Sequence, residues 1–487
     1  MENLTANLYL LWPEFLLTGL AFVLLTVDFF LPPERKNSLA LVAIVGLAAV
    51  AVFTVAFLRG QGEAEIYQGI ILADRFSLFF KVAFLGLGIL TVWSSADFVK
   101  RYLTHPGEYY AMVLFSILGM IVMASAGELL TAYIGLELLS FSLYILVSHA
   151  RDNLKSNEAG TKYILLGAFA SALLLYGISI VYGAVAQAGI QNPTTFAAIE
   201  TYLRSSPLPA TFLVGMALII AGVGFKVAAV PFHMWTPDVY EGAPLPITAY
   251  LAVGSKAAAF ALALRLFADA FMPAMDDWQM IMAILAAATM ILGNLAAIAQ
   301  RNIKRMLAYS SIGQVGYLLM GIAALSGAAS NAMIFHLVGY GITNLGAFVA
   351  VIAFHNATGK EEIADFAGLG ERNPFIAMAL TVSLFSLAGL PIFAGFVTKF
   401  YLFAAAAQAD LLWLVGVAVT ASLISLYYYL MVIKTMYVDK SSETTPVPVT
   451  LATGGLLGLL TLGTVLIGVY PRPLVDAIQL ATNAILP

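Results

Sequence analysis

About fourteen apolar segments follow one another along this 487-residue chain, with mostly short connections between them. They begin near Leu8, Ser38, Leu72, Tyr109, Glu128, Thr161, Ala210, Leu245, Trp278, Met306, Ser330, Ile376, Leu411 and Leu451. A transmembrane helix needs roughly 20 apolar residues, so the pattern predicts an all-α polytopic membrane protein. Composition agrees: 61% of residues are hydrophobic and only 10% charged, where soluble domains carry roughly 25% charge. The loops leave no room for a soluble domain. The chain therefore reads as one membrane domain.

There is no cysteine, which removes disulfides, thiolate metal sites, cysteine-held iron–sulfur clusters and thiol nucleophiles. Any redox chemistry must occur elsewhere. The stretch from Met1 to Leu11 has Glu2 but no Lys or Arg, so it lacks the basic region of a signal peptide and reads as the lead-in to the first span. The net charge of -4 is dispersed, and no basic run suggests nucleic acid or a polybasic lipid patch. Loops after odd-numbered spans hold Arg35, Lys36, Lys100, Arg101, Arg151, Lys155, Lys162, Arg301, Lys304, Arg305, Lys360, Arg372 and Lys440. Even loops and the termini hold only Arg59, Arg75, Arg204 and Arg472. The positive-inside rule then places the odd loops in the cytoplasm and both termini outside.

Four charged residues stand deep within apolar segments: Glu137, Lys226, Lys256 and Lys399. Charge in hydrocarbon is costly, and such groups commonly mark an ion pathway. The structural alternatives are an amine satisfying loose carbonyls at Lys226 and a plain ion pair at Glu137. Lys256 lies about three turns into its span and has no aromatic anchor in sequence, too deep to snorkel. Desolvation favours a neutral amine and a nearby carboxylate favours a charged one. Movement of Glu137 relative to Lys226 could therefore load and release a proton. His336 lies within the eleventh segment, where an imidazole can pass protons or simply be a bonded core residue. His233 follows a proline and is expected at the cytoplasmic mouth. Arg265 and Lys434 read as snorkelling residues, Glu128 and Asp28 as interfacial, and Lys81 is undecided. The five histidines show no paired metal-ligand spacing.

Prolines interrupt two segments. Phe225-Lys226-Val227-Ala228-Ala229-Val230-Pro231-Phe232 shares its Phe, Ala, apolar-Pro and final apolar positions with Phe385-Ser386-Leu387-Ala388-Gly389-Leu390-Pro391-Ile392. A buried proline removes a helix hydrogen bond and disrupts the turn, so both segments read as broken helices. One is the seventh and one the twelfth, so they cross in opposite directions. Broken helices at matching places of inverted repeats are a transporter signature. Five spans from about Tyr109 pair with five from about Trp278. The expected organisation is 1–108 (three spans), 109–270 (first repeat), 278–437 (inverted second repeat) and 438–487 (last span), with hydrated half-channels at the breaks.

Longer motifs then resemble a known family. The run Ala229-Val230-Pro231-Phe232-His233-Met234-Trp235-Thr236-Pro237-Asp238-Val239-Tyr240-Glu241-Gly242-Ala243-Pro244, followed by Gly254-Ser255-Lys256-Ala257-Ala258, resembles the core motif of antiporter-like subunits of respiratory complex I. The run from Asn302 to Ile312 matches as well, and the run from Glu158 to Ser171 is similar to the N-type members. The resemblance implies about 14 helices with two inverted five-helix repeats and two broken helices. It also implies Glu137 and Lys226 as a coupled pair, Lys256 as the central relay and Lys399 as the exit-side group. A lysine at 399, where M-type members carry glutamate, and an end at Pro487 soon after the last span favour the N type. On this resemblance the chain moves protons and carries no cofactor itself. NADH, FMN, iron–sulfur clusters and quinone belong to partner subunits, with M-type and small K-type neighbours in the membrane arm. A subunit of a multisubunit Na+/H+ antiporter and a non-pumping scaffold are the competing readings. Gly368-Leu369-Gly370 lacks the strand, third glycine and helix of a dinucleotide loop.

Overall fold

The computed structural model describes residues 7–205, 208–441, 443 and 445–486. The expected lead-in around Glu2 and the terminal Pro487 lie outside the described residues. Thirteen helices, from Leu8–Phe30 to Leu451–Val469, are long and apolar enough to cross a membrane. The twelfth segment crosses in two pieces, Pro374–Ala388 and Ala394–Gln408. Fourteen segments are thus present, with some boundaries moved. The sixth helix starts at Leu154 rather than Thr161, because the Asn153 side chain accepts the Lys155 N–H and caps it there. The third starts at Arg75 rather than Leu72. Ile71–Ala73 pairs antiparallel with Ala64–Ile66, and Asp74 and Ser77 form a capping box. A short helix, Phe196–Ser205, fills the loop before the seventh span, and another, Arg472–Thr482, follows the last.

The loops sort into two faces. Odd loops touch odd loops: Arg101 donates to Asn356 O (2.7 Å), Arg151 pairs with Glu108 (2.6 Å), Lys304 with Glu361 (2.8 Å) and Arg372 with Glu443 (3.2 Å). Even loops touch even loops, as where Gly127 N bonds Ile70 O and Leu129 N bonds Thr194 O, both at 3.0 Å. Helices alternate direction accordingly, so the seventh and twelfth segments cross oppositely.

The eighth span (Leu245–Ala270), tenth (Ile303–Ala323) and eleventh (Gly327–Thr358) form the centre; their most apolar windows are 100%, 94% and 89% buried, against 28% for the second and last spans. Close approach of helices relies on glycine. A Cβ on Gly119 of the fourth span would meet Leu139 N of the fifth at 2.6 Å, and one on Gly293 of the ninth would meet Gly313 N of the tenth at 2.5 Å. Without a hydrophobic force between helices in lipid, such small residues allow the close packing that holds them.

Both interrupted helices end in the same way. Ala228 is left-handed (φ 66°), and Ala229 N bonds Gly224 O at 2.8 Å; Gly389 is left-handed (φ 91°), and Leu390 N bonds Phe385 O at 3.0 Å. These are Schellman caps, which satisfy carbonyls that the break would orphan. The chain resumes as helix at Trp235 and at Ala394. The sequence match sets Ala228 opposite Ala388, whereas the caps set it opposite Gly389, one residue further on. The prolines lie inside the connecting turns and forbid a continuous helix.

Several charges resolve as pairs. Lys81 is buried and meets Glu14 at 2.7 Å, joining the third span to the first. Arg265 does not snorkel. It is buried, pairs with Asp74 at 2.8 Å, and donates from Nε to Ala124 O at 3.1 Å. A guanidinium with carboxylate and carbonyl acceptors inside the protein has no need to reach the interface. Lys434 is half exposed and pairs with Asp439 (2.8 Å), as expected near a helix end. Asp28 pairs with Lys36 (3.0 Å), and Glu128 accepts from Thr131 (2.8 Å) and Thr194 (2.6 Å). The last span is tied to the third: Trp93 Nε1 donates to Ala452 O (3.2 Å), and Asp97 accepts from Thr450 (2.6 Å) and Thr453 (2.9 Å).

Two outcomes test this packing. A Cβ on Gly395 would stand 1.8 Å from Ser386 O, backbone of the preceding half-helix, so Gly395→Ala should strongly lower the yield of folded protein in membranes. Gly19→Ala, with nothing within 4 Å, should not. The Lys360 ammonium, bonded to Glu443, holds that carboxyl below its usual range. A lowered folded-state pKa stabilises above the unfolded value and is lost on acidification. The melting-temperature difference between wild type and Glu443→Gln should therefore be full at neutral pH, begin to shrink as pH falls past the ordinary glutamate value of about 4.3, and be gone only below the lowered value of the folded state.

Candidate functional site: a buried line of lysines

Lys226 occupies the last turn of the Ala210–Val227 half-helix, beside the first break. Its Nζ donates to Ser140 Oγ of the fifth span at 2.7 Å and lies 5.9 Å from the centre of the Tyr163 ring. Trp235 stacks on that ring, 4.6 Å away at 10°. Glu137 stands one turn before Ser140 on the fifth span, and its Oε1 accepts a short hydrogen bond from Ser171 of the sixth. No ion pair joins Glu137 to Lys226. A cavity of about 10 Å³ beside Lys226 is lined by Ser140 and by Ser171, the donor to Glu137, and has about the room one water needs.

Lys256 begins a regular helical turn immediately after a π turn at Leu251–Ser255. Such turns mark functional positions in many helices. Its Nζ donates to Ser311 Oγ of the tenth span at 2.7 Å. An aromatic neighbour invisible in local sequence, Tyr240, lies 5.8 Å away by its ring centre.

Lys399 sits in the first turns after the second break. Its Nζ donates to Leu387 O (2.9 Å) and Ser422 Oγ (3.1 Å) and lies 4.6 Å over the Tyr317 ring. Ser422 in turn donates to Ala388 O at 2.9 Å. His336 stands on the other side of this group: its Nδ1 and Thr398 Oγ1 are 3.0 Å apart, and its ring meets Tyr317 edge-on at 6.2 Å. His233 lies in the turn of the first break and bonds none of the lysines.

The three lysines share one plan that sequence reading missed. Each is buried, each donates to a serine on another span, each faces a tyrosine, and among the described residues none forms an ion pair. A family model described as NADH:quinone oxidoreductase/Mrp antiporter, TM, matches residues 126–425, which include every one of these groups.

The chain belongs to the NADH:quinone oxidoreductase/Mrp antiporter family.

Curated relatives in this family are similar over nearly their whole length. The protein called NADH-quinone oxidoreductase subunit N of Desulforamulus reducens is 42% identical over 99% of both chains. The subunit N of Heliobacterium modesticaldum is 40% identical over 98% of this chain and all of its own. Among solved structures, a chain of respiratory complex I from Thermus thermophilus superposes with a TM-score of 0.79 at 30% identity, covering 96% of this chain and 99% of that one. A chain of the Mrp complex from Dietzia is like it in fold alone, with a TM-score of 0.84 at 22% identity, covering 97% of each.

In this family member the tenth span connects Lys256 with Lys399. Ser311 accepts from Lys256; Gln314, three residues on, donates to Leu387 O (3.1 Å), which also accepts from Lys399; Tyr317, three further on, underlies Lys399. Spacing by three places them along one helix face, and polar residues so spaced in a wholly buried span are the signal that could have found them. Further buried polar atoms without protein partners surround the line: Tyr163 OH with Ser255 Oγ beside it, Tyr240 OH, Gln314 Oε1, Tyr317 OH and His336 Nε2. Such atoms are the usual hosts of buried water. Among the described residues no three His, Asp or Glu side chains converge as metal ligands.

Removing a serine acceptor should leave a buried amine short of a partner, at a cost of about 1–3 kcal/mol. Ser311→Ala should therefore lower thermal stability in detergent measurably, with Ser311→Thr closer to wild type because it keeps the hydroxyl.

Proposed function

We propose that this chain is a proton-translocating membrane-arm subunit of an NADH:quinone oxidoreductase, driven by redox chemistry in other subunits. The observation that carries the proposal is the set of three buried lysines held by hydroxyls and carbonyls rather than carboxylates. An amine with such partners can lose its proton without leaving an orphaned anion in hydrocarbon, and intramembrane ionisable groups so placed typify proton pathways. Glu137 and Lys226 act as the coupled pair, Lys256 as the central relay and Lys399 as the exit-side group. His336, sharing Tyr317 with Lys399, and more peripherally His233, assist. The subunit is a non-redox part of the enzyme; NADH, FMN, iron–sulfur clusters and quinone reside in its partners, among them M-type and K-type neighbours.

We further propose that spans within 109–270 and 278–437 form inverted repeats, flanked by 1–108 and 438–487. Matched Schellman caps, and glycine contacts between the fourth and fifth and between the ninth and tenth spans, support this. The odd loops, rich in Lys and Arg, face the cytoplasm, and both termini face outward.

The test is NADH-driven acidification of inverted vesicles, comparing wild type with Lys256→Ala at matched assembly of the complex. Pumping per NADH should fall well beyond any loss of enzyme. Pumping and oxidation surviving at the wild-type ratio would make the lysine structural and the chain a scaffold. A wild-type membrane with no NADH-linked signal would point to the antiporter reading.

A further inference from the structure

The even-loop face carries few cations, and they divide sharply. Arg204 pairs with Glu200 (2.8 Å) and Arg472 meets Asp476 (3.8 Å), each within its own helix. Arg59 and Arg75 form no ion pair among the described residues, yet both line one cavity of about 750 Å³. That volume falls within the roughly 300–1,000 Å³ of small-ligand sites. The cavity lies between the end of the second span, the start of the third and the helix Arg472–Thr482. Two carboxylates also line it. Asp74 is already held by Arg265 (2.8 Å), which leaves Glu63 as the only one without a cation, so the arginines are in excess.

Apart from Gln61 and Ser77 the rest of the wall is apolar, with Leu58, Leu78, Phe79 and Leu480 prominent. Leu480 is 55% exposed, and the outward side of the second span continues this surface through Val55 and Val52, 38% and 69% exposed. A ligand that suits the site has an anionic head for two guanidinium groups and a hydrocarbon part that can run down a helix into the membrane. Arginine forks match phosphate oxygens bidentately. We propose that this cavity binds an anionic phospholipid, its phosphate between Arg59 and Arg75 and its acyl chain along the second span and Leu480. The lipid would then link the first three spans to the helix that follows the last one.

The absence of cysteine from the chain permits a local probe. Ala477 lines the cavity and is exposed, so Ala477→Cys provides a single thiol there. The variant, purified in its complex, is placed in nanodiscs of phosphatidylcholine with or without phosphatidylglycerol, and its modification by a water-soluble maleimide is timed. Phosphatidylglycerol should slow modification about tenfold, the protection given by a site about 90% occupied. Adding Arg59→Gln with Arg75→Gln should abolish that protection at unchanged assembly. Inorganic phosphate in phosphatidylcholine nanodiscs should give none. Equal rates in the two lipids would overturn the proposal. So would protection that persists in the double variant, which would mean that a partner protein covers the cavity, or equal protection by phosphate alone, which would mean a free-anion site. None of these readouts depends on proton pumping.

Discussion

A buried ammonium must find acceptors, and in a helical membrane protein the backbone has few to offer. Every carbonyl inside a regular helix is already engaged, so an amine at that depth must be met by hydroxyls or by carbonyls that a broken helix has released. Lys399 takes the second route with Leu387 O and adds Ser422. Lys226 and Lys256 take the first, through Ser140 and Ser311. The irregularities nearby, two capped breaks and a π turn, sit where these amines are. Charge placement and backbone irregularity are two sides of one requirement.

The serine and tyrosine companions give the line its chemical character. A carboxylate partner would fix an ammonium as a permanent ion pair, as Asp74 does for Arg265 and Glu14 for Lys81. A hydroxyl accepts or donates as the need changes, and a tyrosine face attracts a cation weakly without binding it. The same chain therefore contains two kinds of buried cation, one kind stapled by a carboxylate and the other held by hydroxyls and carbonyls. The stapled kind stands toward both loop faces, with Arg265 and Lys81 at the even one and Lys304 at the odd one, and the three hydroxyl-held lysines form the other kind.

Much of this was legible in the residues. Lys226, Lys256 and Lys399 stand out because charge is rare in apolar segments, and Pro231 and Pro391 announce the breaks. The companions did not stand out, because serine and tyrosine are ordinary in such helices and their partners lie on other spans. Ser140 meets Lys226 from 86 positions away and Ser311 meets Lys256 from 55. Arg265 was misread for the same reason: nearness to a helix end suggested the interface, but its carboxylate comes from 191 residues earlier. Glu137 was expected to pair with Lys226, but the fifth span presents Ser140 to that amine, and Glu137 accepts from Ser171 instead. The repeat match was off by one at the caps, since only backbone geometry distinguishes the left-handed residue from its neighbour.

The tie between the third and last spans bears on how the chain is made. Asp97 enters the membrane region early in synthesis, and its hydroxyl partners Thr450 and Thr453 emerge more than 350 residues later. For most of translation, therefore, the third span waits with an unbonded carboxylate and an open flank. That contact can form only once the final helix has been made, so it is among the last ties in the bundle to close.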